Sequence, residues 1–364
     1  GYLTELTFAK LSGLHWTGSV SYQEYSPAYE INEVGFLGAT DTRSVTPIIL
    51  YNENKPSKYV RNWGQFVFWN PTWNFDGDMT YKGVGSITVA ELPNFWRYFL
   101  RLDWRPAAFS PGLTRGGPVA ASVEGGGVQG EITSDRRKRY TYGIFSSYSY
   151  NVAGGTGLTI SPRATLRPTT AVRITLSPQW NRTYAIAQFV TRVSDPLAVD
   201  TYGSRYVFAT LDQRQLSMVT RVDWTFTPKL SLQLFAQPLL ASADFKDYKE
   251  FARPREFDFE IYGKDAGTIA RDDATGRYTV DPDGASAAPA FSFSERDFNR
   301  RSLRGNAVVR WEYRPGSALF FVWQQSRFGS IPSGEFEFGR DFQDLWATQP
   351  ENVFVVKGTW WIGR

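Results

Sequence analysis

The residues able to do chemistry in this chain are few and scattered. The single histidine, His15, sits beside Trp16. A Ser-His-Asp relay or an imidazole metal site would have to be built around it alone, and no acid, base and nucleophile fall together nearby. A turn or girdle position suits it better. Cysteine is absent, which excludes disulfides and thiolate ligands. Gly125-Gly126-Gly127-Val128-Gln129-Gly130 has the dinucleotide-binding glycine spacing, but no helical pattern follows it, and that fingerprint has meaning only between a strand and a helix. Glycines that let a strand bend or approach the lumen are the better account. Within 244–297, Asp272, Asp273, Asp281 and Asp283 follow Asp265 and offer oxygen ligands for an external calcium ion. They lack the regular spacing of a calcium loop, so solvated loop charge is the default. No cofactor is expected, and the chain reads as a non-enzyme.

What remains is charge of mixed sign at alternating positions: Arg101 and Asp103, Arg173, Arg221 and Asp223, Arg304, Arg310 and Glu312. Mixed charge on one lining either tunes the passage of polar solutes or knits an interior shut through ion pairs. Both outcomes require these side chains to point one way, and extended strands do this by sending successive residues to opposite faces. At 216–226, Leu216, Met218, Val222, Trp224 and Phe226 fall on one face, and Ser217, Arg221, Asp223 and Thr225 on the other. Past Thr227-Pro228-Lys229 the pattern resumes, with Leu230, Leu232, Leu234 and Ala236 opposing Ser231, Gln233 and Gln237, so the two stretches read as a hairpin. Leu303, Ala307, Val309, Trp311 and Tyr313 likewise oppose Arg304, Asn306, Arg310, Glu312 and Arg314. Ala318–Trp323 and Asn352–Trp361 are apolar on both faces, which leaves their register open.

The same pattern, in segments separated by turn residues, gives about fifteen strands along the chain. Composition agrees with it. The 27 Phe, 19 Tyr and 13 Trp make up 16% of the residues, yet the mean hydropathy is negative, so apolar and polar residues are interleaved. No run reaches the roughly 18 apolar residues of a spanning helix. A chain this aromatic that enters lipid must then do so as a closed sheet, since only helices and barrels satisfy every backbone polar group there. The expected fold is all-β: a transmembrane antiparallel β-barrel of about 14–16 strands in a single domain over 1–364.

Connections sort by length. Short ones are expected near Ser12-Gly13, Ser134-Asp135, Arg167-Pro168, Pro228 and Pro315. Long ones fall near 25–35, 108–117, 191–202, 244–297 and 328–350, as expected of periplasmic turns and external loops. Asp76-Gly77-Asp78 is a tight turn on the long-loop side. The segment 244–297 is long enough to form a lid or plug, with Arg277-Tyr278-Thr279-Val280 as a strand inside it. Trp104, Trp224, Trp311, Trp323 and Trp360 are placed as an aromatic girdle. With 40 basic and 36 acidic residues spread along the chain, there is no basic stripe for nucleic acid.

Three stretches carry a family resemblance: Asp297–Ser317 with its Arg310-Trp311-Glu312-Tyr313-Arg314-Pro315-Gly316 run, Arg205–Ala209 through Asp223–Pro228, and Gly13–Trp16 with Ser26–Phe36. The chain resembles an uncharacterised outer-membrane barrel domain that follows a family-nine carbohydrate-binding-like module in many bacterial envelope proteins. The resemblance implies a bacterial outer membrane, contact with lipid bilayer and lipopolysaccharide, an upstream module that binds carbohydrate, and contacts with other envelope proteins. It supplies no catalytic residues. An odd strand count and a first strand that runs inward from outside both point to at least one further strand upstream of Gly1. Two functions follow: a passive or gated pore for small polar solutes, sugars among them, or a non-conducting anchor or structural part of an envelope complex.

Overall fold

The structure is a computed structural model that describes residues 1–30, 38–284 and 288–362. Ile31–Phe36 of the resemblance and the end of the 25–35 connection lie outside the described residues, as do 285–287 of the long loop. The elements in chain order are β1 (Leu3–Lys10), β2 (Trp16–Tyr25), β3 (Thr42–Glu53), β4 (Asn62–Trp73), β5 (Met79–Glu91), β6 (Arg97–Arg105), β7 (Ala108–Ser110), β8 (Ala120–Ser122), β9 (Gly125–Thr133), β10 (Tyr140–Asn151) and β11 (Thr156–Thr169). There follow β12 (Val172–Ser194), β13 (Ser204–Thr227), β14 (Leu230–Arg253), β15 (Asp258–Ile261), β16 (Thr268–Asp272), β17 (Arg277–Asp281), β18 (Phe291–Ser294), β19 (Phe298–Arg314), β20 (Ser317–Ile331), the helix α1 (Phe338–Ala347) and β21 (Glu351–Thr359).

The fold is all-β and antiparallel. One large sheet runs β1-β2-β3-β4-β5-β6-β9-β10-β11-β12-β13-β14-β19-β20-β21, with β15 added beside β14. Turn chemistry makes the meander. Gly316, at φ 76°, closes the β19–β20 hairpin, and Gly77, at φ 90°, closes the Asn74–Asp78 turn; both lie in the left-handed region that glycine enters without strain.

Among the described residues the sheet does not close: β1 and β21 are its two edges. Each strand of the path is antiparallel to the next, and the path has an odd number of members, so the two edges run in the same direction. They cannot pair with each other as an antiparallel ladder. The expected barrel closure is therefore not made by this sheet.

Most boundaries follow the alternation, and the departures have physical causes. The β11–β12 turn falls at 170–171 and not at Arg167-Pro168, because Pro168 occupies a strand end beside a register shift. The alternation over 118–133 reads as one strand, but the chain divides there into β8 and β9. Residues 244–253, expected as loop, continue β14, and Asp247, at φ 48°, marks an irregularity in it. The stretch 328–350 contains α1. The expected strand within the long loop is present as β17.

Among the described residues the two largest buried clusters lie where the long central strands outrun the rest. Val207 and Ala209 of β13 pack with Val190, Tyr248, Tyr262, Val280 and Phe293, while the alternate Tyr206 and Phe208 pack with Ala120 and Phe251. Both faces of this strand end are covered, one by the β16–β18 sheet and the other by the 106–124 connection and its β7–β8 hairpin. These layers form a cap at the long-connection end.

Candidate functional site

Register fixes which residues share a face, because directly paired residues in an antiparallel ladder point the same way. Arg101 opposes Gln129 and Asp103 opposes Gly127. Gln129 opposes Ser147, Ser147 opposes Thr159 and Thr159 opposes Asn181. Arg173 then opposes Asp223 and Thr175 opposes Arg221. Further along, Asp223 opposes Gln233, Arg304 opposes Gln237 and Arg310 opposes Ser231. Arg101, Asp103, Arg173, Arg221, Asp223, Arg304, Arg310 and Glu312 thus lie on one polar face of the sheet.

They do not form one cluster. Arg101 and Arg105 flank Asp103 at 3.6 and 3.5 Å, and Arg310 holds Glu312 at 2.7 Å. Arg221 rests over the Phe235 ring at 5.0 Å. Arg173 and Asp223 face one another as Cα partners without an ion pair between them. Between them the face is lined by Ser147, Thr159, Gln179, Asn181, Ser217 and Gln215.

The opposite face is apolar and exposed. Phe8, Val20, Ile49, Val67, Leu102, Val128, Ile144, Ile160, Met218, Phe321 and Val356 stand on it in eleven strands of the sheet, each with a large exposed surface. Of the expected girdle, Trp224 and Trp311 lie at the short-turn end, and Trp360 follows β21 at that same end. Trp104 and Trp323 lie nearer the other end, where their indole nitrogens donate to Glu124 at 3.0 Å and Asn352 at 2.9 Å. All are partly or widely exposed, as amphipathic rings are at a boundary between apolar and wet surroundings.

The remaining sequence candidates resolve into structure. His15 stacks on Tyr51 at 5.3 Å and its Nδ1 lies 3.0 Å from the Asn52 carbonyl; with Trp16 and Trp63 around Tyr51 it belongs to an aromatic cluster at the short-turn end. Gly125–Gly127 lie in β9, where a Cβ on Gly126 would come within 2.8 Å of the Asp103 carbonyl oxygen; close strand approach accounts for them. The loop aspartates are taken up in turns. Asp272 accepts from the Ala274 amide at 2.9 Å and from Thr275 Oγ1 at 2.7 Å, Asp273 pairs with Arg271, Asp281 accepts from the Gly284 amide at 2.9 Å, and Asp283 from the Ala288 amide at 2.9 Å. Among the described residues no cluster of three or more His, Asp or Glu is placed to hold a metal ion.

Two features escaped the pattern reading. At the long-connection end, the 106–124 segment and Phe257 lie over the polar face, enclosing with Tyr81, Arg105, Ser149 and Thr183 a hollow of about 480 Å³. Arg255 ties this cover down: it pairs with Asp78 and lies over Phe109 at 4.4 Å. The cap also buries a charge cluster, with Arg205 donating to Asp195 at 2.6 Å and to Glu250 at 2.5 Å. Burial pushes the Glu250 carboxyl up and Arg205 only partly offsets it. Asp195 is also desolvated, but hydrogen bonds from Arg205 and the Leu197 amide outweigh this and hold it below the usual carboxylate range. Lys249, on the other face of β14 over the Phe259 ring, is lowered by burial and donates to Thr210 at 3.0 Å. The signal for both features was weak: short strands among small residues, and charges interleaved with aromatics.

A family model described as "Domain of unknown function (DUF5916)" matches residues 1–363. No curated protein and no solved structure matches the chain.

Proposed function

Taking the chain as a member of the DUF5916 family, we propose that it is the greater part of an outer-membrane β-barrel whose polar face lines a passage for small polar solutes, sugars among them. The observation that carries this reading is the two-sidedness of the sheet. Most strands expose Leu, Ile, Val, Phe or Trp on one side and Ser, Thr, Gln or Arg on the other; β5 is the exception, with Ser86 and Thr88 on the apolar side and Ile87 on the polar side. In water an apolar face that spans the whole sheet would far exceed the few hundred Å² that a monomer tolerates. Against lipid it is the favourable arrangement, with polar residues turned to an aqueous interior. Closure then needs one more strand that is antiparallel to β1 and to β21, which makes the number even. The protein sits in the bacterial outer membrane against lipid and lipopolysaccharide, and an upstream carbohydrate-binding-like module and other envelope proteins are its further partners.

A second reading, a sealed anchor, is favoured by the 106–124 segment and Phe257 covering the polar face at one mouth. Planar-bilayer recording of the full-length protein separates the two. A pore gives discrete conductance steps that rise in size when residues 108–122 are deleted; silence at all voltages, with and without that deletion, leaves only the anchor. Extraction of the protein from cell envelopes by carbonate alone, without detergent, would remove both.

A further inference from the structure

The polar face carries a second hollow, toward the short-turn end, that the alternating charges did not single out. It measures about 550 Å³ and is bounded by β9 to β12. Arg136, Arg163, Arg167 and Arg173 all line it, against one carboxylate, Glu131. That carboxylate is engaged with Thr133 Oγ1 at 3.1 Å. Among the described residues the side chains of Arg136, Arg163 and Arg173 have no ion pair or hydrogen bond, and that of Arg167 makes only a long contact of 3.4 Å to the Lys138 carbonyl. Asp223, the Cα partner of Arg173, is not part of the lining.

Other arginines of the described residues also lack an ion pair, Arg192, Arg221 and Arg304 among them, but many are paired. Arg61, Arg97, Arg137, Arg182 and Arg205 each hold a carboxylate within 3.1 Å. Like charges gathered on neighbouring strands repel and lower stability, so an unpaired set around one concavity marks a place where the counter-charge comes from outside. Guanidinium groups match the paired oxygens of phosphate and sulfate in a two-point grip. The hydroxyls of Thr141, Ser161 and Thr165 on the same walls add neutral donors, and the volume suits a small solute.

We propose that this hollow is a binding site for a small soluble polyanion of the phosphate or sulfate class, gripped by Arg163, Arg167 and Arg173 with Arg136 at the rim. The site stands whether the polar face lines an open channel or a sealed chamber, so a silent bilayer recording does not touch it. The test is calorimetry of the full-length protein in non-ionic detergent with inorganic pyrophosphate as probe. Saturable binding is expected, weakened about tenfold or more by the R163Q/R167Q double substitution and by R173Q, and left unchanged by R253Q on the cap surface. Because the repulsion is relieved, R167Q also raises the thermal midpoint in buffer free of polyvalent anions, which separates loss of binding from loss of fold. Absence of saturable pyrophosphate binding to the unsubstituted protein, or binding that survives R163Q/R167Q, overturns the proposal.

Discussion

The lower and upper halves of β13 share one strand and one alternation but live under opposite rules. From 216 to 226 the apolar residues Met218, Trp224 and Phe226 are exposed, and the polar ones face the other side of the sheet. From 206 to 211 both faces are buried, and Phe208 is 0% exposed. The difference lies in what covers the strand. The cap supplies protein on both sides of 206–211, so its energetics are those of a soluble core: packing, cavity cost and buried ion pairs. Protein covers neither side at 216–226, and there the two faces separate apolar from wet surroundings. One strand therefore needs two kinds of test.

The largest effect is expected in the upper half. Phe208→Ala removes a ring in edge-on contact with Phe251 at 4.8 Å and Phe259 at 5.5 Å, and should cost about 3–5 kcal/mol locally. Hydrogen exchange of the 204–211 amides should accelerate accordingly, with the 216–226 amides unchanged; equal acceleration of both would erase the distinction. Next, Arg205→Met strands Asp195 and Glu250 in the cap and should cost about 3 kcal/mol. The Arg205→Met/Glu250→Gln pair should recover part of that, read by limited proteolysis of the cap. The lower half responds to charge. Val222→Arg, on the apolar face, should destabilise the protein in vesicles by about 2–4 kcal/mol, whereas Ser217→Arg, on the polar face, should change little. Similar costs at both sites would contradict the two-faced reading.

The smallest effect concerns the short turn at 134–139. Hydrogen bonds from the Arg137 side chain and amide hold the Asp135 carboxyl at about 2. Its ionised form therefore favours the folded turn above the ordinary carboxylate range, and that contribution fades as pH falls toward about 2. NMR titration of Asp135 should show the depressed midpoint, and Arg137→Ala should return it to the ordinary range.

Much of this frame was legible because period-two alternation reports directly on a two-faced sheet. The charges from Arg101 to Glu312 and the tryptophans from Trp104 to Trp323 fall on the faces their parity assigns. Parity fails where both faces are buried. The 244–253 stretch of β14 holds Tyr248, Lys249, Glu250 and Phe251 in the cap, without a wet side to mark it, so it reads as the start of a loop. The helix α1 was hidden for another reason. Leu345 anchors it on Leu240 and Leu303, and Asp341 accepts from Asn299 Nδ2 at 2.9 Å, tertiary contacts that a local pattern does not show. Arg163 and Arg167 were legible as positions four apart in one strand, but their lack of partners was not, since it depends on what the neighbouring strands leave out.

The order of strands in the large sheet also bears on how the chain folds. Nearly every pairing joins sequence neighbours through a turn, so the ladder can extend hairpin by hairpin with little loop entropy to overcome at each step. β20 and β21 are joined across 332–350 with its helix α1, and two pairings skip strands altogether: β6 with β9, across 106–124, and β14 with β19, across 254–297. Both intervening segments end up in the cap, so the sheet cannot be joined across them until they are looped out. Those two joints are the kinetic seams of the molecule, and the cap is assembled from the chain that has to be set aside to form them.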